Sequence, residues 1–196
     1  MKAVVTTDST PSLAKERRGA LGARPVVYCA LLVATGLVLF MFESVIPRPL
    51  PWMKPGLANT AGLLALYLFG AREAAGVTLL RVVVGALLLG TFFSPAFFLS
   101  LGGGVTAVMA MALARHFGEG LFSIVGVSVC GAACHNLAQL SLAYVLIVHR
   151  PELFLLLPAM VIAAVFTGIV VGLVSHLILT HGVRMVPASQ GEKRER

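Results

Sequence analysis

"CGAACHNLAQL", residues 130–140, lies in a run from Leu121 to Val148 in which no residue carries a permanent charge. The run reads as a helix in lipid, yet its middle holds three strong hydrogen-bonding side chains, His135, Asn136 and Gln139. On a helix, Ser128, Gly131, His135 and Gln139 step by three or four residues onto one stripe. Asn136 sits about 100° round from His135, at the edge of the same face. Left unpaired in hydrocarbon, such groups are costly, so they must face other helices or a wet cavity. Interhelical glue, worth roughly 0.6 kcal/mol per bond, accounts for one such residue. Three on adjoining faces point to a polar cavity.

The rest of the chain supplies the setting. It has 196 residues, 58% hydrophobic and 12% charged, with mean hydropathy +0.94. A soluble domain of this length would be about a quarter charged. Too little polar surface remains to cover a water-soluble globule, so the chain reads as an integral membrane protein in a single domain. Cys29, Cys130 and Cys134 all lie in apolar stretches and define neither a disulfide framework nor a redox compartment.

Residues 1–24 are polar and read as a mobile cytoplasmic tail. Val26 to Ile46 is apolar for long enough to cross a ~30 Å hydrocarbon core. It is too long for a signal-peptide core and lacks the cleavage pattern, so it reads as a retained first span. "PRPLPWMKPG" (47–56) breaks the helix with four prolines and places Trp52 at interfacial depth. A short second span is expected near Leu57–Gly70, followed by "AREAAG" as a tight turn. Further spans are expected near Ala75–Phe93, Ala96–Ala114, Leu121–Val148 and Leu153–Thr180. The expectation is therefore an all-α, multi-pass protein of the cell membrane, with a six-span domain over 25–182 and a basic tail over 183–196.

Six spans put both termini on one side of the membrane. With that side cytoplasmic, the tails and the turns at 71–74 and 115–120 carry 11 of the 15 basic residues, and the opposite side carries only Arg48, Lys54 and Arg150. The positive-inside rule then makes both termini cytoplasmic. It also explains the net charge of +7 as topology rather than nucleic-acid binding.

Under this topology, Glu43, Lys54, Asn59, Ser94 and Ser100 all fall at outer-leaflet depth or just outside it, with His135 near mid-membrane. An outward-opening pocket would collect them with Asn136 and Gln139 as substrate-binding residues. The bland alternatives are interfacial snorkelling for Glu43 and a solvated loop charge for Lys54. Arg81, expected about six residues inside the cytoplasmic end of span three, reads as a structural or partner-coupling residue that reaches the inner headgroups or pairs internally. "SLGGGVT" (100–106) either loosens the helix or admits close backbone approach. His135, Cys130 and Cys134 point in different directions on one helix and do not converge on a metal ion. Asp8 is the chain's one aspartate, and there is no GxxxxGK[ST] loop or G-x-S-x-G elbow. The sequence offers no constellation for catalysis and names no cofactor.

"KPGLAN" (54–59), "LLRVVVGALLLGTFFSPAFFLSLGGG" (79–104) and "FSIVGVSVCGAACHNLAQL" (122–140) resemble the Gx transporter family, also described as heptaprenyl diphosphate synthase component I. The resemblance covers about residues 28–176. That family is similar to the substrate-binding S components of energy-coupling-factor transporters, which implies a compact six-helix bundle with an outward-facing pocket. It also implies a transmembrane coupling subunit and ATPases as partners, docked through an Ala-x-x-x-Ala patch that Ala30 and Ala34 match. The ligand signatures of the vitamin carriers are not evident, so the small-molecule ligand is not carried over. Prenyl-chain synthases hold magnesium diphosphate on aspartate-rich motifs, which one aspartate cannot supply. The second reading is therefore a non-catalytic anchor for an isoprenoid- or quinone-related enzyme.

Cytoplasmic termini carry a direct test. Single cysteines replacing Ser12 and Ser189 are expected to resist an impermeant thiol reagent in whole cells and to react after permeabilisation. Labelling of both in intact cells overturns the topology.

Overall fold

The computed structural model describes residues 10–45, 56–118 and 121–182, with side chains from Val26 to His181 among them. These form six α-helices: α1 (Thr10–Val45), α2 (Asn59–Leu68), α3 (Ala71–Leu88), α4 (Pro95–Phe117), α5 (Ile124–Ala143) and α6 (Leu157–Leu177). No strand occurs among the described residues. Four segments are long and apolar enough to cross a membrane: Val26–Val45, Pro95–Phe117, Ile124–Val148 and Pro151–His181. Their outer faces carry exposed Val38, Leu113, Ile162 and Phe166, a surface suited to lipid and not to water.

The two remaining helices depart from the expected spans. α2 is apolar but has only ten residues, so it is about 15 Å long and covers roughly half of a hydrocarbon core. Thr60 to Leu66 are all buried, and α2 touches α1, α3, α4 and α6. It is the centre of the largest apolar cluster, in which Ala61, Leu63 and Leu66 meet Val77, Val108, Met111 and Val171. α3 carries Arg72, Glu73 and Arg81 in eighteen residues, which sets it apart from the four apolar segments.

"AREAAG" is not a turn. It is the first part of α3, and the chain reverses at Phe69–Gly70, where Gly70 takes φ 115°. Alanine is the best helix former, and Glu73 lies favourably near the positive end of the helix dipole. Nothing in the stretch therefore breaks a helix, whereas Gly70 reaches a φ that side chains disfavour. α1 likewise begins at Thr10, so its backbone is helical through much of the stretch expected as a tail.

The other boundaries follow local chemistry. Ser94 caps α4, its Oγ accepting from the Phe97 amide at 3.4 Å, with Pro95 in the first turn. Ser123 caps α5 in the same way through the Gly126 amide at 3.2 Å. α5 packs on α4 and α6, and one π-helical turn (Tyr144–Val148) extends it.

At its far end α2 needs outside help. The Phe69 and Gly70 amides both turn back to the Ala65 carbonyl, and the buried Leu66 carbonyl accepts from Arg115 Nη1 on α4. The Arg115 guanidinium also lies 4.6 Å from the Tyr67 ring centroid, a cation–π contact. Arg115→Leu leaves a buried acceptor unpaired. It is expected to cost about 1–3 kcal/mol, read as a lowered unfolding temperature of the purified protein. An unchanged temperature removes Arg115 from the fold's supports.

Candidate functional site

Five helices deliver polar side chains to one place. Glu43 of α1, Asn59 at the start of α2, Arg81 of α3, Ser100 of α4, and His135 with Gln139 of α5 line one small cavity, walled by Phe40 and Val82. Five of these six side chains are buried, down to 1% exposed for Gln139 and 2% for Glu43. In an otherwise apolar bundle, that concentration of polar groups is the main anomaly of the structure.

Each is placed by its neighbours. Arg81 donates from Nη2 to Asn59 Oδ1 at 3.1 Å, and the Glu43 carboxylate attracts the same guanidinium. Glu43 Oε1 also accepts from the Ala58 amide at 3.2 Å, where α2 begins and the helix dipole favours an anion. Ser100 donates to the Ala96 carbonyl at 2.9 Å within α4. On α4, a Cβ at Gly103 would stand 2.8 Å from His135 Cε1 and 2.9 Å from Gln139 Cγ. The missing Cβ is what lets both side chains lie against α4, which is the close approach that the three consecutive glycines suggest.

Two further hollows adjoin the cavity. The roomier one shares Phe40, Glu43, Val82 and Ser100 with it and continues to Thr91 and Phe97 at the α3–α4 connection. The other shares Gly56, Asn59 and His135 and continues past Ser128 and Asn136 to Thr167 on α6. Asn59 and His135 thus stand between two chambers.

The residues read from sequence divide as follows. Glu43, Asn59, Ser100, His135 and Gln139 meet in the central cavity. Asn136 lines the neighbouring chamber, and its Nδ2 donates to the Met160 carbonyl at 2.9 Å, so it also ties α5 to α6. Ser94 serves as the α4 cap, donating to the Thr91 carbonyl at 2.6 Å, and lines none of the three hollows. Lys54 lies outside the described residues. Ala30 and Ala34 are exposed on α1.

Arg81 has surroundings other than those expected from the sequence. Because α3 starts at Ala71, Arg81 lies ten residues, about 15 Å, along the helix rather than near its end. Its hydrogen-bond partner, Asn59, is a wall of the cavity. A lone charge in an apolar run is the available signal, and its depth follows only from where α3 starts.

An all-helical membrane protein with a polar centre shared by five helices is the class that this geometry defines. Residues 32–178 match the heptaprenyl diphosphate synthase component I family, and the chain belongs to that family. Neither a curated protein nor a solved structure matches the chain.

Glu43 and Arg81 are opposite charges lining one buried cavity, which predicts non-additivity. Removing one partner of a buried pair strands the other charge, at about 3–5 kcal/mol, while replacing both with apolar groups is close to neutral. Glu43→Met and Arg81→Met should each destabilise the purified protein more than the double variant does. Losses that simply add would show that the two charges are not coupled.

Proposed function

We propose that this chain is the substrate-binding component of a membrane transport system, capturing a small molecule in the central cavity. The observation that carries the reading is the gathering of Glu43, Asn59, Arg81, Ser100, His135 and Gln139 from five helices around one hollow. Buried polar groups destabilise a bundle unless they are satisfied, and one ligand can satisfy several at once. In this reading six helices build the membrane domain, with both termini in the cytoplasm. The chamber reaching Thr91 is then the outward approach to the site.

In this reading partner subunits supply the energy. A transmembrane coupling subunit with ATPases fits the resemblance to energy-coupling-factor S components. Ala30 and Ala34, small and exposed on α1, offer such a subunit a close-packing face.

The family description favours a second reading, a non-catalytic membrane subunit that anchors an isoprenoid- or quinone-related enzyme. In that case the polar centre serves architecture alone.

Native mass spectrometry of the gently purified chain separates the two. The transport reading predicts a retained small molecule that is lost in Gln139→Leu, while the variant still inserts and purifies. Gln139 is a cleaner probe than Asn136, whose bond to Met160 mixes packing with binding. A bare chain that co-purifies with a prenyl synthase would favour the anchor.

A further inference from the structure

We infer that the ligand of the central cavity is a small uncharged molecule bearing an amide-type edge, a hydrogen-bond donor beside an acceptor, that pairs with the side-chain amide of Gln139. This rests on the reading of the cavity as a ligand site and specifies its chemistry.

Charge is the first ground. The cavity is lined by one permanent cation, Arg81, and one carboxylate, Glu43, whose opposite charges offset each other. An anionic or cationic ligand would leave net charge in a low-dielectric interior, where an uncompensated ion is heavily penalised. It would also compete with one member of the pair for its partner. An uncharged ligand leaves the pair intact.

The second ground is Gln139 itself. Its side chain is 1% exposed, and Oε1 has no hydrogen-bond partner among the described residues. A buried amide oxygen without a donor is a rare and costly feature of a finished structure. Gly103 brings α4 against the Gln139 stem, so the side chain is held where it lies rather than free to swing toward lipid. A primary amide presents an acceptor and a donor side by side. Its complement is another such edge, as in a carboxamide, a lactam or a ring imide. The complement is the same whichever way round the Gln139 amide lies.

The rest of the lining suits such a molecule. Asn59, whose Oδ1 is taken by Arg81, adds a second side-chain amide nearby. Phe40 and Val82 are apolar walls shared with the roomier hollow toward Thr91, where the body of a ring can lie.

The test uses the full chain in lipid nanodiscs and four probes of similar size. Nicotinamide and uracil are uncharged and carry the edge, nicotinate is an anion, and benzamidine is a cation. Binding is measured by calorimetry, with Gln139→Met as the comparison because methionine keeps the length and removes the amide. Gln139→Leu serves in its place if the methionine variant does not purify as a monodisperse helical protein. At least one uncharged probe is expected to bind roughly tenfold or more tightly than nicotinate and benzamidine, and to lose roughly tenfold or more in the variant.

Tighter binding of either charged probe, binding indifferent to Gln139, or no binding of the uncharged probes overturns the assignment. A cysteine replacing Ser100 tells this failure from failure of the pocket itself. Its reaction with a small polar thiol reagent added from outside shows an accessible cavity whose ligand is of another class. No reaction and no binding by any probe removes both.

Discussion

A guanidinium in the middle of an apolar bundle has to be matched from within, and Arg81 sets that requirement for this protein. Its matches come from separate helices, a carboxylate from α1 and an amide oxygen from the start of α2. The carboxylate is occupied as well, since it accepts the backbone amide at the head of α2. The pair therefore also ties α2 into place. A short helix whose middle is wholly buried can hold its position only if both of its ends are satisfied. Glu43 does this at one end, and Arg115 does it at the other.

With α2 anchored at the centre, α1, α3, α4 and α6 pack against it. The small residues decide how closely they come. Gly103 lets α5 press its two largest polar side chains against α4. The close helix packing and the polar cavity are thus one feature. The glycines bring the backbones together, and the polar side chains between them then have only one another, or a ligand, to bond with.

Much of the site is legible in the sequence. Polar residues are expensive in a membrane helix, so each one in an apolar run stands out. Glu43, Asn59, Ser100, His135 and Gln139 stand out on that ground and do meet in one cavity. The same rule cannot separate a residue that lines a hollow from one that caps a helix, because hydropathy records polarity and not direction. Ser94 is such a case, since its hydroxyl is spent on the Thr91 carbonyl. Asn136 fulfils both descriptions at once, as packing bond and cavity wall.

The sequence by itself determined the class of protein, the apolar helices and the identity of the anomalous polar residues, because these depend on composition and local periodicity. Local preference also contains the start of α3, in the alanines after Gly70 and the absence of a breaker, although a short charged stretch beside a glycine resembles a turn as well. Only the tertiary structure decided that α2 is an internal half-length helix, that Arg81 belongs to the cavity, and which polar group answers which. Those facts depend on depth and on contacts between residues far apart in the chain. A one-residue error at a helix start shifts depth by only about 1.5 Å, but four such residues move a charge by a full turn.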